Sequence, residues 1–428
     1  MSPLKQKPGL YRIVVAHYAV AALCFLLLTV MMLFSVKAFA GHYFHPQILA
    51  ITHMAALGWG TMIIFGAAYQ LIPVVLETGL YSEKLAWTSF ALFIPGMIAL
   101  VYSFWVFVPG IHMQCAGLLL FTAIVLFTVN VYLTAKKKSQ DSIQEDFIFS
   151  ACLFLCFTAA LGTVIIFNFT IPIFPQDQLH FLKIHAHLGI VGWFLLMTIG
   201  VSSKLVPMFL VSGYQKTKLL SYSYYLIVGA LLLFIVDAFI SGITYRTYLI
   251  ALIGTGGIIC YLFFIFKCFR ARMRKRIDLP MLNTFFSFIL LAIAITVIPF
   301  IIYYHLKNDP ISSRYSLIYG ALLLMGWITA LILGQTFKTL PFIVWVKHYE
   351  HLTGKVKTPM PADLFNNKLL KMQSICFIAF CLTFIPGCFL MLPGLMYAGL
   401  VLLLLTASTY VSNVFIVLFH KTTTYGKL

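Results

Sequence analysis

The sequence predicts an all-α membrane protein whose twelve transmembrane helices form three repeats of four helices. Of its 428 residues, 62% are hydrophobic and only 9% are charged. A water-soluble fold of this size needs more polar surface around its core, whereas a bilayer solvates apolar side chains directly. Helices are favoured because backbone polar groups inside a membrane must be satisfied within their own segment. We expect one transmembrane domain over residues 1–428.

Apolar windows of about 20 residues divide the chain into twelve predicted spans. Their expected bounds are 12–36, 47–76, 86–107, 111–134, 147–173, 181–211, 221–241, 247–268, 282–304, 314–345, 371–391 and 394–419. The N-terminal basic segment and first apolar run are read as a retained span, because no small-residue cleavage site follows them.

The basic residues alternate with the predicted spans. They gather at the N-terminus (5–12), after spans four (136–138), six, eight (267–276) and ten, and in the tail. By the positive-inside rule these loops and both termini are cytoplasmic, which predicts a multi-pass protein of the cytoplasmic (inner) membrane. The net charge of +18 therefore reflects membrane topology and does not indicate a nucleic-acid partner.

One residue spacing occurs three times in the chain. In each copy, Gly and Trp lie five and six positions after the first residue of the motif. A second Gly follows seven positions after the Trp, and a Pro follows seven positions after that Gly. The first residue is His53, then His187, then Ala321, each 134 residues apart, and three of the six tryptophans occupy the Trp position. This internal period predicts parallel repeats at 1–146, 147–280 and 281–428, related by a pseudo-threefold axis along the membrane normal.

His53 and His187 are the main candidate ligands. Both fall well inside predicted spans, where ionisable side chains are rare and usually face the protein interior with a partner. Each is either a metal ligand or a packed imidazole bonded to a backbone carbonyl. His185 lies two residues before His187, so on a regular helix it points about 200° away. His185 and His112, which opens the fourth span, are further metal-ligand candidates.

Imidazole nitrogen suits haem iron, copper and zinc. The near absence of carboxylates from the spans disfavours a magnesium or calcium cage. Asp237, the clearest acid within a span, either supports a ligand histidine or marks a helix end. Lys204 and Lys338 occupy one repeat position, where we expect their ammonium groups to extend to the membrane surface.

The architecture and the two histidine motifs resemble subunit I of the haem-copper oxidases, which include the C-type oxidases and nitric-oxide reductases. The resemblance implies that His53 in HMAALGWGTMIIFGAAYQLIP ligates haem and that His187 in HAHLGIVGWFLLMTIGVSSKLVP faces copper. It departs in the tenth span, where complete enzymes have two haem-ligating histidines and this chain has Tyr319 and Ala321. The seventh span also lacks the expected copper-ligating histidines. These losses are similar to those of shortened relatives such as the NnrS-type haem- and copper-containing proteins linked to nitric oxide.

The resemblance therefore implies a degenerate member of the superfamily that binds haem b, copper or both, and is not a complete oxygen-reducing oxidase. Its expected role is respiratory, redox or nitric-oxide-linked, with respiratory-chain subunits or an electron donor as partners. Two alternatives stay open: a copper or haem transporter or chaperone, and a metal-free structural subunit of a respiratory complex. No proton path is predicted.

Overall fold

The computed structural model describes residues 8–75, 78–136, 142–174, 178–422 and 425–427. Within these ranges, twelve helices are long and apolar enough to cross a membrane, which confirms the predicted number. Numbered α1–α12, they are Leu10–Phe34, Pro46–Pro73, Glu83–Val106, Ile111–Ala135, Ile143–Asn168, Gln178–Leu210, Lys218–Ser241, Arg246–Arg270, Leu279–Leu306, Ile311–Leu352, Asn367–Leu390 and Pro393–Leu418. The basic residues predicted at 5–7 and 137–138 lie outside the described ranges.

Few elements lie outside these helices in the described ranges. Short 3₁₀ helices occur at Val36–Ala40 and Pro361–Asp363, and a third, Glu350–Leu352, ends α10. Two short strands, β1 (Val356–Lys357) and β2 (Tyr425–Lys427), pair antiparallel and join the segment after α10 to the C-terminal tail. The predicted end of α10 at 345 is too early. No glycine or proline occurs between residue 345 and Gly354, which adopts a φ of +77°. His348, predicted to lie in a loop, is consequently part of the helix.

The chain divides into two compact units. Unit 1 contains Met1–Gln70, Asp278–Ala294 and Ser316–Leu428, and unit 2 contains Leu71–Ile277 and Ile295–Tyr315. The three expected repeats stay a prediction as domain boundaries.

The core of unit 1 is centred on Trp59 of α2. Its indole ring stacks on Phe25 of α1 with ring centroids 4.3 Å apart and meets the edge of Tyr410 of α12 at 5.2 Å. Its N–H donates to Thr329 Oγ1 of α10 at 3.2 Å. Stacked and edge-on aromatic pairs add to the stabilisation from burial alone, so these contacts fix α2 among its neighbours.

Unit 2 packs its helices chiefly as sequence neighbours, α3 with α4, α4 with α5, α5 with α6 and α7 with α8. Glycines permit the closest of these approaches. A Cβ on Gly192 of α6 would lie 2.6 Å from Cβ of Phe154 on α5, and one on Gly257 of α8 would lie 2.7 Å from Ile227 of α7. Gly192 belongs to the repeated motif, so α5 and α6 are in close contact at that motif.

Candidate functional site

Each of the three repeat helices changes from α-helix to π-helix at the repeated motif. The π-helical segments are Met54–Thr61 in α2, Leu188–Leu195 in α6 and Leu322–Ile328 in α10. Each begins directly after the first residue of the motif, and each contains the motif tryptophan, which is at most 1% exposed. π-Helical turns are rare and occur frequently at functional sites. The π-helical turn therefore recurs at the same repeat position in all three copies, beside the candidate ligands His53 and His187.

His53 and His187 make the same local hydrogen bond. His53 Nδ1 lies 2.8 Å from the carbonyl oxygen of Leu49, and His187 Nδ1 lies 2.8 Å from that of Lys183, four residues earlier in each case. A carbonyl oxygen can only accept, so Nδ1 carries the proton, and in a neutral ring the lone pair then belongs to Nε2. This fixed tautomer is the arrangement that metal-bound histidines adopt, with one nitrogen oriented by a carbonyl and the other on the metal.

Accessible surface distinguishes these two histidines from an ordinary packed one. His53 and His187 are both half-buried. His17 of α1 makes the same bond, from Nδ1 to the carbonyl of Ile13 at 2.8 Å, but is fully buried against Tyr69. The carbonyl bond alone is therefore no sign of a ligand, and the greater exposure of His53 and His187 is what separates them from His17.

His185 and His187 contact different helices. His185 Nδ1 lies 3.0 Å from the carbonyl oxygen of Thr158 on α5, and its ring occupies the space that Gly162 leaves there. The His187 ring instead packs against Phe234 of α7, with centroids 4.5 Å apart. The two imidazoles therefore face away from each other, as the helix period requires.

His112 lies exposed in the first turn of α4. Among the described residues, no three His, Cys, Asp or Glu side chains come together in a group that could hold a metal ion. The four candidate ligand histidines thus form no three-ligand cluster. A bare copper or zinc ion needs several protein ligands, whereas the porphyrin already gives haem iron four nitrogens and leaves one or two positions to the protein.

The third copy keeps the backbone of the site without its imidazole. Ala321 precedes the π-helical segment of α10, and a Cβ added to the adjacent Gly320 would meet nothing within 4 Å. Trp327 is fully buried, and its indole N–H has no hydrogen-bond partner among the described residues. An unsatisfied buried donor of this kind is uncommon in folded proteins.

Several other polar residues have structural roles. Asp237 forms an ion pair with Arg246, 3.2 Å apart, at the facing ends of α7 and α8, which favours its reading as a helix-end residue. His45 caps α2 by accepting the N–H of Gln47. Lys204 is exposed, as expected, but Lys338 is largely buried and donates to the carboxylate of Asp278 at the start of α9.

Sequence reasoning missed a polar network in unit 1. Tyr18 Oη lies 2.8 Å from Thr339 Oγ1, Thr339 donates to the carbonyl of Gln335, and the Gln335 amide donates to Thr284 Oγ1 at 2.7 Å. These residues come from three helices distant in sequence, α1, α9 and α10, so no local motif marks them. The only sequence signal was the Gln335, Lys338 and Thr339 group within one apolar span.

No protein-family model matches this sequence, and no curated protein matches it. Among solved structures, the chain is similar to one from a haem-copper terminal oxidase dimer determined by cryo-EM, with a TM-score of 0.70 and 10% sequence identity. The similarity covers 98% of this chain and 85% of that chain. The fold is therefore that of the haem-copper oxidases, with twelve transmembrane helices. A similarity at 10% identity is evidence for the fold alone.

Proposed function

We propose that this chain is a haem-binding redox protein of the membrane, with Nε2 of His53 as an axial ligand of a b-type haem. His187 is the second metal-facing imidazole. The proposal rests on one observation: the two histidines share a repeat position, a 2.8 Å bond from Nδ1 to a carbonyl, an adjoining π-helical segment and partial exposure. The oxidase fold supports it.

Haem fits the donor set better than a bare metal ion does. A haem iron, when bound, supplies one-electron redox chemistry and a position for a diatomic ligand. The chain's own contribution is to hold Nε2 as the lone-pair nitrogen, through the carbonyls of Leu49 and Lys183. The buried aromatic residues around Trp59 exclude water from this part of unit 1. A copper ion bound by His187 would need further ligands. The same proposal includes partners, either respiratory subunits or an electron donor.

The test is the absorption spectrum and metal content of the purified chain, expressed with a haem supply. We expect a reducible Soret and alpha band of b type, confirmed by pyridine haemochromogen assay. His53→Ala should lower haem per chain at least tenfold, since it removes the ligand nitrogen. Exposed His112→Ala is the matched control and should retain the haem of the natural chain.

Added imidazole separates ligation from folding. Free imidazole should restore the haem spectrum of His53→Ala if the variant has lost only a ligand, and should not if the helix itself is disrupted. A spectrum without haem, or a His53→Ala variant with unchanged haem content, would refute the ligand assignment. Stoichiometric copper without haem would instead favour the transporter or chaperone alternative.

A further inference from the structure

Arginine is concentrated in one loop of the chain. Four of the seven arginines lie within seven residues, at Arg270, Arg272, Arg274 and Arg276, while the 22 lysines are spread along the sequence. Membrane topology depends on positive charge and treats lysine and arginine alike, so it does not account for this choice. Arginine differs from lysine in presenting a planar fork that binds phosphate through two parallel hydrogen bonds.

This loop is fixed to its neighbour by backbone hydrogen bonds. The loop after α6 and the loop after α8 are joined at a β-bridge between Ser212 and Arg272. Three N–H groups donate across it, Gly213 to Ala271 O, Met273 to Val211 O and Arg274 to Leu210 O, at 3.1–3.4 Å. The two loops, residues 208–218 and 270–276, therefore form one surface, here called the basic plate.

Arg272 is the structural member of the plate. Its Nη1 donates to the carbonyl of Phe269 at 2.8 Å, and its guanidinium lies 3.9 Å from the centroid of the Phe269 ring. Arg270, Arg274 and Arg276 are exposed, and Arg274 Nη1 also donates to the carbonyl of Phe209 at 3.5 Å. Residues 211–217 and 271–277 contain no acidic residue, and Asp278, which follows directly, forms an ion pair with Lys338.

Apolar side chains stand among these cations. Met273 is 72% exposed, Met208 54% and Val211 49%. Met208 and Val211 lie at the C-terminal end of α6, and Met273 lies between Arg272 and Arg274 in the sequence. Apolar side chains interleaved with cations suit the boundary between lipid tails and headgroups, where the former insert and the latter contact phosphate.

We propose that the basic plate binds the phosphate groups of anionic phospholipids, through Arg270, Arg274 and Arg276, with Met273 inserted between the lipids. The charge complementarity and the position at the ends of α6 and α8 select a lipid headgroup as the occupant. This inference is independent of haem binding.

The test measures binding of phosphatidylglycerol to the purified full-length chain in neutral detergent, by native mass spectrometry. The triple variant Arg270→Lys, Arg274→Lys and Arg276→Lys keeps the net charge, and with it the membrane topology, but removes the bidentate forks. We expect its dissociation constant for phosphatidylglycerol to rise about tenfold. Arg314→Lys, at the other end of the spans, is the matched control and should bind as the natural chain does.

A second variant keeps all the arginines. Met273→Gln should weaken the binding of phosphatidylglycerol in detergent while leaving the affinity for soluble glycerol phosphate unchanged. Equal phosphatidylglycerol binding by the natural chain and the triple variant would overturn the proposal, since a diffuse positive field would then suffice. Displacement of the lipid by millimolar inorganic phosphate, or equal binding of phosphatidylcholine or a short RNA, would also overturn it.

Discussion

Substituting alanine at two glycines of one π-helical segment should change stability in opposite directions. A Cβ on Gly192 would lie 2.6 Å from Cβ and 2.9 Å from Cγ of Phe154, whereas one on Gly189 would lie 3.4 Å from Cγ2 of Thr158, an ordinary contact. Both glycines lie in Leu188–Leu195 of α6 and face α5, so each substitution makes the same chemical change in the same unit.

The expected magnitudes follow from two opposing effects. Alanine is favoured over glycine in a helix by about 1 kcal/mol, because the unfolded glycine has more conformational freedom to lose. At Gly189 only this gain operates, so the variant should be more stable by roughly 0.5–1 kcal/mol. At Gly192 the new methyl group overlaps a Cβ that cannot turn away without moving α5. Overpacking of this kind costs about 1–3 kcal/mol or more, so the net effect is destabilising.

The assay is thermal unfolding in detergent, followed by intrinsic tryptophan fluorescence. For a unit of this size, about 1 kcal/mol corresponds to roughly 2–4 °C in the unfolding midpoint. Gly189→Ala should raise the midpoint and Gly192→Ala should lower it. An equal increase in the unfolding midpoint of both variants would show that α5 and α6 are not in close contact at Gly192.

Three further changes test other parts of the structure. Gly162→Ala should displace the ring of His185, whose Cε1 lies 2.7 Å from the added Cβ, and should shift its imidazole resonances in NMR spectra. Lys338→Met should destabilise unit 1 by about 1–3 kcal/mol in thermal unfolding, because it removes the ammonium partner of the Asp278 carboxylate, while Lys204→Met, exposed at the equivalent position, should be nearly neutral. Burial lowers the pKa of His420 below its ordinary value of 6.5, so the unfolded tail takes up a proton more readily than the folded one. Docking of the tail should therefore weaken as pH falls below about 6.5, and hydrogen exchange of β2 should rise in that range.

Composition and spacing were enough to predict the helices, because membrane spans are long and apolar and their loops carry the charge. The ends were less predictable. α10 reaches Leu352 instead of 345, since its last turns are polar enough to read as a loop but contain no helix breaker. Long polar helix ends of this kind continue until glycine or proline stops them.

The candidate ligands stay a prediction from the repeat spacing, whereas the backbone geometry around them could not be predicted from the sequence. The repeat spacing identified His53 and His187, yet nothing in the local sequence distinguishes π-helical from α-helical turns. The i→i−5 bonds, such as Met62 N–H to Leu57 O and Leu196 N–H to Val191 O, depend on how neighbouring helices pack. The partner of Lys338 was equally hidden, because Asp278 lies 60 residues away in the sequence.

The third repeat bears on why the first two contain histidine. Ala321 is followed by a π-helical segment and a fully buried Trp327, as His53 and His187 are followed by theirs. The backbone and the tryptophan therefore form without an imidazole at this position. An imidazole inside a membrane span costs free energy to bury unless its polar atoms are satisfied. Since the third copy folds without an imidazole, its presence in the other two copies favours a functional role over a packing role.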